Sequence, residues 1–425
     1  MNVLLIGSGG REHALGWKLS QSPGLDRLYC APGNPGIAEV AELVALDAGD
    51  HEAVIAFCRG HAVELVVIGP EAPLVDGLGD ALRRAGLLVF GPNADAARLE
   101  GSKGFTKDLC AAHGIPTARF VRARSEGEAR EACGRFGCPV VVKADGLAAG
   151  KGVTVAATPG EAEDAVADLF ASGADEVLVE EFLEGEEASL FVLTDGVTVL
   201  PLGGAQDHKR VGEGDVGPNT GGMGAYSPTG ALTPELEARA MAEIVEPTVR
   251  AMAAAGTPFS GVLYAGLMLT ADGPKLIEYN ARFGDPEAQV LMLRLEEDLL
   301  ELMLDTARGR LTGRRAPAMN RHVAVGVVIA ARGYPGTPAA GGGIDGIADA
   351  EAEGAKVFQA GTRLVDGKLV ASGGRVLTVC TLGADIGEAR DAAYRAAARV
   401  RFADGFYRRD IGWREAERSS GARAG

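Results

Sequence analysis

The amino-acid sequence predicts a multidomain chain that combines α/β and α+β units. We expect an N-terminal doubly wound parallel sheet, antiparallel α+β units in the centre and a mixed α/β domain at the C terminus. Three observations predict this arrangement. The chain has 425 residues, 47% of them hydrophobic, and this length divides into about three or four domains. Short apolar runs alternate with helical patterns over residues 1–100, and Asp-Gly pairs between apolar segments punctuate the remainder.

The first unit, predicted over residues 1–116, contains five apolar runs: "VLLIG", "RLYCA", "LVAL", "ELVVIGPEAP" and "LLVFGP". Because parallel strands end at one edge of a sheet, the turns at 7–10, 31–36 and 69–73 are expected to share that edge. The first turn, Gly7-Ser8-Gly9-Gly10, opens a helix, where backbone donors and the helix dipole favour an anion. A dinucleotide fingerprint would have a third glycine at position 12, and here Glu12 stands there.

Two central units are predicted over residues 117–188 and 189–320. The first contains the β runs "PVVVKADG" and "GKGVTVAA", a helix over 160–171 and the strand "EVLVEEFL". The second contains longer strands and a helix over 234–255. Asp195-Gly196 and Asp272-Gly273 predict hairpin turns within it.

The last unit, predicted over 321–425, combines strands such as "RHVAVGVVIAA" and "GRVLTVCTLG" with an alanine-rich helix over 385–400. Asp366-Gly367 predicts another hairpin. The terminal "ERSSGARAG" predicts a loose tail. No pattern in this unit indicates catalysis, so we expect it to pack against the site or to cover it.

Net charge and cysteine usage restrict the function classes. The formal net charge of −16 argues against broad electrostatic binding to nucleic acid or to an anionic membrane. The six cysteines show no CxxC pair, so neither a zinc site nor a disulfide framework is predicted. No charged-then-apolar leader opens the chain, and its longest apolar run, around 323–331, is too short to span a bilayer. We therefore predict a cytoplasmic protein.

The segment "VVVKADGLAAGKGVTV" at 140–155 carries the strongest chemical signal. Lys143 ends a β run, and a turn of small residues leads to Gly150, Lys151 and Gly152. Backbone N–H groups in such a turn wrap phosphate oxygens, because glycine and alanine allow close approach, and the ammonium groups neutralise charge. The order differs from a GxxxxGK[ST] loop opening a helix, so a strand-hairpin phosphate flap fits better. A purely structural glycine hairpin is the alternative.

Two strand segments carry further polar groups suited to a nucleotide. In "VEEFLEGEEASL", the backbone of 181–183 suits an adenine edge and Glu187 suits ribose hydroxyls, with an acidic solvated turn as the alternative. In "KLIEYNARFGDPEAQ", Glu278 and Asn280 are two apart on a strand and face one way, which suits Mg²⁺. Arg282 shares that parity and suits a carboxylate or phosphoryl group. An ordinary polar strand face is the alternative here.

A long glycine-rich loop at 203–228 contains Asp207, His208, Lys209 and Arg210 in succession. Loops of this length inside a domain are usually functional or disordered. The four polar side chains give this loop binding chemistry, so we expect it to contribute to a substrate site.

Together these segments resemble the ATP-grasp ligases, and within them the sequence is similar to the phosphoribosylamine–glycine ligase family. The resemblance runs from the first residues to about residue 413 and is highly specific. It is carried by "GSGGREHA", "APGNPG", "GPEAPL", "FGP", "LEGSKGFTK", "IPTA", "VVKADGLAAGKGV", "EEFLEGEEAS", "QDHKRV", "GPNTGGMGAYSP", "LYAGLM", "EYNARFGDPEAQ" and "DIGWR".

The resemblance implies a Rossmann-like N-terminal domain, a small ATP-grasp lid over 117–188 and a large ATP-grasp domain over 189–320. It implies a ligase of purine synthesis that forms a C–N bond between glycine and 5-phosphoribosylamine, through a glycyl phosphate, while ATP becomes ADP and phosphate. The implied cofactor is Mg²⁺ or Mn²⁺. The strand "GVLYAGLML" lacks the acidic metal ligand of many ATP-grasp proteins, which leaves the number of metals open.

The resemblance also implies a set of site residues. Catalytic roles fall to Lys143, Arg282 and Asp207, and metal binding to Glu278 and Asn280. The ATP-binding set is Lys103, Lys143, Gly150, Lys151, Gly152, Glu180, Glu181, Phe182, Leu183 and Glu187. The substrate-binding set, in which the opening glycine turn binds the sugar phosphate, is Gly9, Gly10, Arg11, Asn34, Pro70, Glu71, Asp207, Lys209, Asn219, Gly222, Met223, Arg282 and Asp285.

Other function classes stay open at this point. One is another ATP-grasp carboxylate-amine ligase with a different acid or nucleophile, and another is a non-catalytic nucleotide-binding regulator. A nicotinamide-dependent oxidoreductase is disfavoured, because "RLYCAPGN" lacks the acidic residue expected about 20 positions after the glycine turn. The partners we expect are small molecules alone, with no nucleic acid or membrane, and we predict a monomer.

Overall fold

A computed structural model of the chain describes residues 1–147 and 152–423. Its first unit is a parallel sheet with the strand order β3-β2-β1-β4-β5. The strands are β1 (Asn2–Gly7), β2 (Arg27–Pro32), β3 (Glu42–Leu43), β4 (Val63–Ile68) and β5 (Leu88–Phe90). The helices are α1 (Gly10–Leu19), α2 (His51–Gly60), α3 (Glu71–Val75), α4 (Leu78–Arg84), α5 (Ala94–Gly101) and α6 (Lys103–His113). The predicted doubly wound N-terminal sheet is confirmed.

The second unit is a four-stranded antiparallel sheet with the order β6-β9-β7-β8. Its strands are β6 (Phe120–Ala123), β7 (Val140–Ala144), β8 (Val153–Ala156) and β9 (Val177–Glu181), and its helices are α7 (Glu126–Phe136) and α8 (Pro159–Ala171). Thr158 caps α8 by accepting from the Glu161 backbone N–H, and Pro159 follows the cap, as expected for a first helical turn. This unit, called the lid below, has its own apolar core.

A nine-stranded sheet forms the rest of the frame, in the order β16-β15-β10-β11-β14-β17-β21-β18, with β22 beside β17. Its strands before residue 320 are β10 (Glu186–Asp195), β11 (Val199–Asp207), β14 (Gly224–Ser227), β15 (Ser260–Thr270) and β16 (Gly273–Asn280), while β12 (Arg210–Gly212) and β13 (Val216–Asn219) form a separate hairpin. The helices are α9 (Pro234–Ala240), α10 (Glu246–Ala254), α11 (Glu287–Arg294) and α12 (Leu299–Ala307), with a π-helical turn at Met241–Val245.

The C-terminal strands continue the same sheet. They are β17 (Val323–Ala331), β18 (Lys356–Gln359), β21 (Arg375–Gly383) and β22 (Gly405–Phe406), and the remaining elements are the hairpin β19 (Thr362–Val365) and β20 (Lys368–Ala371) and the helices α13 (Ile347–Ala352), α14 (Ile386–Ala397) and α15 (Trp413–Arg423). The hydrogen-bonded ladder between β14 and β17 crosses the predicted boundary at 320. The boundary at 188 falls inside β10, so the predicted domain limits stay predictions.

The predicted hairpins are confirmed, and the predicted tail is corrected. Asp195-Gly196, Asp272-Gly273 and Asp366-Gly367 each join two antiparallel strands. The "ERSSGARAG" end lies largely in α15, which is held by ion pairs from Arg418 to Glu415 and Glu186. None of the helices in the described ranges is both long and apolar enough to cross a membrane.

Candidate active site

A cleft of about 1160 Å³ lies where the lid, the nine-stranded sheet and the N-terminal unit meet. Val141 and Val153 line it from the lid, Leu99 from α5, and Tyr334 from the C-terminal part of the chain. All four predicted units therefore contribute to one concave site, which is large enough for a nucleotide and a second substrate.

Most of the residues predicted from the sequence line this cleft. They are Arg11, Glu71, Lys103, Lys143, Gly152, Glu180, Glu181, Phe182, Leu183, Glu187, Asp207, Lys209, Asn219, Glu278, Asn280, Arg282 and Asp285. The predicted residues that do not line it are Gly9, Gly10, Asn34, Pro70, Gly222 and Met223. Gly150 and Lys151 lie outside the described residues.

Two lysines meet a buried carboxylate at the lid end of the cleft. Lys143 Nζ lies 3.0 Å from Glu180 Oε1, and Lys107 Nζ lies 2.9 Å from Glu180 Oε2. Burial acts to raise the pKa of Glu180, but the two ammonium groups hold that pKa below its usual range. Glu180 lines the cleft, and its side chain holds Lys143 in place, so its role as an ATP contact stays a prediction.

The strand β16 presents two free oxygen donors to the cleft. Glu278 and Asn280 both line the cleft, and their side chains make no hydrogen bond or ion pair with any residue in the described ranges. Those ranges contain no group of three His, Cys, Asp or Glu side chains that could hold a metal. A carboxylate and an amide oxygen that both lack protein partners fit a Mg²⁺ whose other ligands are phosphate oxygens and water.

Charged side chains at the end of β11 and just beyond it also line the cleft, among them Asp207 and Lys209. Lys209 Nζ lies 2.8 Å from Glu187 Oε2, so the carboxylate predicted to hold a ribose is paired with a lysine. The pKa of Asp207 is raised to about 8, mainly by burial; Lys209 acts to lower it, and the charges of Glu287 and Glu187 act with burial to raise it. A cation or an ammonium group bound here would relieve the repulsion among these carboxylates.

Arg282 is held by two carboxylates instead of standing free. Its Nη2 lies 2.8 Å from Glu100 Oε1 and its Nε lies 3.2 Å from Glu71 Oε2. Burial acts to lower the pKa of Arg282, but the Glu100 and Glu71 charges raise it above its usual value. The guanidinium is therefore a fixed positive charge at the floor of the cleft.

The opening glycine turn is closed by a side chain of the protein itself. Glu12 is 1% exposed and accepts a hydrogen bond from the Gly9 N–H at 2.7 Å, while its other oxygen lies 2.6 Å from Arg11 Nε. A Cβ added at Gly7 or Gly69 would lie 2.4 or 2.2 Å from Glu12 atoms. The prediction that Gly9 donates to a substrate phosphate is corrected, because its N–H already has this partner.

Two other predicted substrate residues are structural. The Asn34 side chain donates to the carbonyls of Ser8 at 2.8 Å and Gln359 at 2.9 Å and is 4% exposed. A Cβ at Gly10 would lie 2.5 Å from Gln289 Nε2. Asn34 thus ties the opening turn to the C-terminal part of the chain, and Gly10 allows α1 to approach α11.

The remaining corrections concern the loop before β14 and the start of α3. Met223 is fully buried in an apolar cluster. Gly222 has a φ of +115°, and a Cβ there would lie 2.5 Å from Pro286 Cδ. Pro70 is the N-cap residue of α3. These residues shape the loops around the cleft without lining it.

Several residues that contribute to the site were missed. Lys107 is four residues after Lys103 on α6, so helical spacing could have revealed it. The Tyr264 hydroxyl donates to Glu287 Oε1 at 2.9 Å, and both residues line the cleft, as does Arg375 from β21. Tyr264 and Arg375 are brought to the cleft by sheet pairing between distant segments, which leaves no local signal in the sequence.

Family models cover almost the whole chain. Residues 1–100 match the N domain of phosphoribosylglycinamide synthetase, residues 101–288 match its ATP-grasp (A) domain, and residues 324–414 match its C domain. The predicted ATP-grasp architecture is confirmed.

Full-length relatives agree with this family. The chain is 58% identical over 423 residues to phosphoribosylamine–glycine ligase of Mesorhizobium japonicum, covering 98% of this chain and 99% of that protein. It is 58% identical over 424 residues to the enzyme of the same name from Rhizobium meliloti, with 99% and 100% covered.

Solved structures place the fold in the same group. A crystal structure of phosphoribosylamine–glycine ligase from Thermotoga maritima has a TM-score of 0.84 at 36% identity and covers 97% of this chain and 100% of that one. A second structure is the biotin carboxylase domain of a Hydrogenobacter thermophilus 2-oxoglutarate carboxylase, solved with MgADP. It has a TM-score of 0.71 at 17% identity and covers 95% of this chain and 91% of that one, so the likeness extends to the fold alone. The chain therefore belongs to the phosphoribosylamine–glycine ligase family and is an ATP-dependent ligase of purine biosynthesis.

Proposed function

We propose that the chain joins glycine to 5-phosphoribosylamine through a glycyl phosphate, with the steps divided among the groups that line the cleft. The observation that carries this proposal is the convergence on one cleft of Lys103 and Lys143, the oxygen donors of β16, and Asp207 with Lys209. A carboxylate oxygen is a poor leaving group, and phosphorylation converts it into a good one.

ATP is proposed to lie between the lid and β16. Lys143 is fixed by Glu180, and Lys103 donates to the Gly146 carbonyl at 2.8 Å at the base of the β7–β8 hairpin. Both ammonium groups then face the phosphates from the lid side. The backbone of 181–183, at the end of β9, is proposed to bind adenine.

Glu278 and Asn280 are proposed to hold Mg²⁺ or Mn²⁺, whose charge would stabilise the transferring phosphoryl group. The neighbouring Lys103 supports this placement: burial lowers its pKa, and the Glu278 charge is the main influence in the opposite direction. The glycine-binding side of the cleft is then formed by Asp207, Lys209 and Arg282.

In the first step, a glycine carboxylate oxygen attacks the γ-phosphorus of ATP, and the bond from that phosphorus to the β–γ bridging oxygen breaks to release ADP. In the second step, the amine nitrogen of phosphoribosylamine attacks the glycyl carbonyl carbon, loses a proton, and expels phosphate. Closure of the β7–β8 hairpin over the intermediate would exclude water.

The sugar phosphate of phosphoribosylamine is proposed to bind at the other end of the cleft, in place of the Gly9–Gly10 site expected from the sequence. Arg11 and Arg375 line this end and flank Asp285, whose pKa they lower against the effect of burial. Arg11 Nη1 donates to the Phe283 carbonyl at 3.1 Å, and Arg375 Nη1 donates to the Gly221 carbonyl at 2.6 Å. These bonds fix the direction of both guanidinium groups, which suits binding of phosphate oxygens by their other N–H groups.

An oxygen-transfer experiment tests the intermediate. Glycine labelled with ¹⁸O in both carboxylate oxygens is converted with ATP, Mg²⁺ and phosphoribosylamine, and the released phosphate is examined by mass spectrometry. A glycyl phosphate delivers one labelled oxygen to each phosphate. Label-free phosphate during full product formation would refute the route, and γ-labelled ATP with unlabelled glycine serves as the positive control.

The monomeric state and the cytoplasmic location remain predictions. Size-exclusion chromatography with light scattering tests the first, and cell fractionation tests the second.

A further inference from the structure

A segment near the C terminus, residues 408–414, packs against the β12–β13 hairpin. Arg210, Asp215 and Asn219 of that hairpin line the cleft, and so does Arg414 at the end of the segment, whose Nη2 lies 2.6 Å from Asp215 Oδ2. Arg408 is 1% exposed, although arginine is among the residues least often buried without strong pairing. The proposed mechanism uses no group of this segment, so the burial of Arg408 requires another explanation.

The Arg408 guanidinium joins the two segments. Its Nη1 donates to Asp215 Oδ1 at 2.9 Å and to the Arg210 carbonyl at 2.9 Å. Its Nε and Nη2 donate to the two oxygens of Asp410 at 2.8 and 2.7 Å. A planar guanidinium with these four bonds fixes the hairpin in both position and direction, which a point charge cannot do.

Backbone groups add to the same contact. The Gly412 N–H donates to His208 Nε2 at 2.8 Å, and the Gly214 N–H donates to Asp410 Oδ2 at 2.8 Å. The Arg409 N–H donates to Glu213 Oε1 at 3.0 Å. The start of the hairpin and its turn are therefore held by one short stretch of chain.

His208, which accepts the hydrogen bond from Gly412, lies in the sequence between Asp207 and Lys209 of the proposed glycine site. His208 is 2% exposed, and its neighbours Asp207 and Lys209 both line the cleft. The direction of these two side chains thus depends on where the 408–414 segment holds His208 and the hairpin.

We propose that Arg408 is a positioning residue that sets the hairpin, and through it Asp207 and Lys209, for binding of the amino-acid substrate. The assignment of Asp207 and Lys209 to glycine rests on the proposed function. In the described residues, the nucleotide end of the cleft, with Lys103, Lys143 and Glu278, makes no hydrogen bond or ion pair with this segment.

The test uses the full chain with Arg408→Gln, with Asp215→Asn, which changes the carboxylate shared by Arg408 and Arg414, and with Arg408→Lys as the conservative variant. Arg83→Gln is the matched control, because Arg83 is a partly buried arginine that bonds to the Val89 carbonyl in the N-terminal unit. Three quantities are measured for each: backbone hydrogen exchange over 209–219, KM for glycine, and Kd for ATP.

We expect Arg408→Gln and Asp215→Asn to speed exchange across the hairpin and to raise KM for glycine, each by at least about tenfold, with Kd for ATP within about twofold of wild type. For Arg408→Lys we expect exchange rates and KM values between those of wild type and Arg408→Gln. Lysine keeps the positive charge but lacks the planar set of guanidinium donors. Arg83→Gln should leave all three quantities unchanged.

Unchanged exchange over 209–219 in Arg408→Gln would overturn the positioning role, and so would an equal loss of ATP binding. If Arg408→Gln does not fold, Asp215→Asn, which keeps the shape of the side chain, decides by the same measurements. Failure of the proposed glycine site gives a different result: Asp207→Asn and Lys209→Met would leave KM for glycine unchanged while exchange in Arg408→Gln still rises.

Discussion

The buried histidine between the first and last units gives a sharp prediction about acid stability. His13 is 1% exposed on α1, and its Nδ1 accepts a hydrogen bond from the Gln359 N–H at 2.8 Å. Its ring lies edge-on to Phe358 with 5.4 Å between centroids. Burial, followed by the charge of Lys356, lowers the pKa of His13 from 6.5 to about 3, so the side chain stays neutral in the folded chain.

The size of the effect follows from the two pKa values. In the unfolded chain the imidazole takes up a proton near pH 6.5, whereas the folded chain does not until about pH 3. Between these values the unfolded state binds more protons, so stability falls as the pH is lowered from 6.5. The loss from this one group is about 1.4 kcal/mol at pH 5.5 and about 2.7 kcal/mol at pH 4.5.

The perturbation is His13→Gln, which keeps a hydrogen-bond acceptor for Gln359 and removes the titration. Unfolding free energies are measured by urea denaturation at pH 7.5 and pH 5.5 for the wild type and the variant. We expect the variant to be less stable at pH 7.5 because it loses ring packing, but its decrease between the two pH values should be smaller by about 1.4 kcal/mol. Equal decreases in the two proteins would refute the reasoning.

The matched control is His113→Gln, since His113 is an exposed histidine at the end of α6. We expect the unfolding free energy of His113→Gln to decrease between pH 7.5 and pH 5.5 by as much as that of the wild type.

Two further predictions concern the cleft. Lys107→Met removes one of the two ammonium partners of Glu180, which is 3% exposed. We expect urea denaturation to show a loss of about 3 kcal/mol in unfolding free energy, with a smaller loss for Lys107→Arg. An unfolding free energy equal to that of the wild type in Lys107→Met would contradict this. Glu278→Gln removes the charged oxygen donor of β16, so the Mg²⁺ concentration for half-maximal turnover should rise at least about tenfold. An unchanged Mg²⁺ dependence would remove Glu278 from the metal site.

The sequence predicted the frame of the molecule well where the signal was local. The apolar runs of residues 1–100 form the parallel sheet, and the helix expected over 160–171 is α8, Pro159–Ala171. At 366–367 both residues of the Asp-Gly pair adopt the positive φ angles that a two-residue turn needs, whereas at 195–196 and 272–273 the glycine alone does. At Asp366 and Gly367 these angles are 50° and 73°.

The candidate site was predictable in part, for a related reason. Lys143, Glu278 and Asn280 lie on strands whose side-chain parity can be read from the sequence, and all three line the cleft. Gly9 and Asn34 lie in turns of the right composition, but their hydrogen bonds go to Glu12 and to the distant Gln359. Whether a polar group faces a ligand or another part of the chain depends on long-range contacts, which local patterns do not contain.

The ladder between β14 and β17 has a consequence for how the molecule can be divided. A chain ending at residue 320 would expose the edge of β14 along Gly224–Ser227, and an unpaired central edge is a template for aggregation. The lid, in contrast, has its own core, and in the described residues its four strands pair with one another, while ion pairs with Lys107 and Asp108 attach it to α6. The last hundred residues therefore complete the large sheet by covering the β14 edge, whereas the lid keeps its sheet and its core within its own residues.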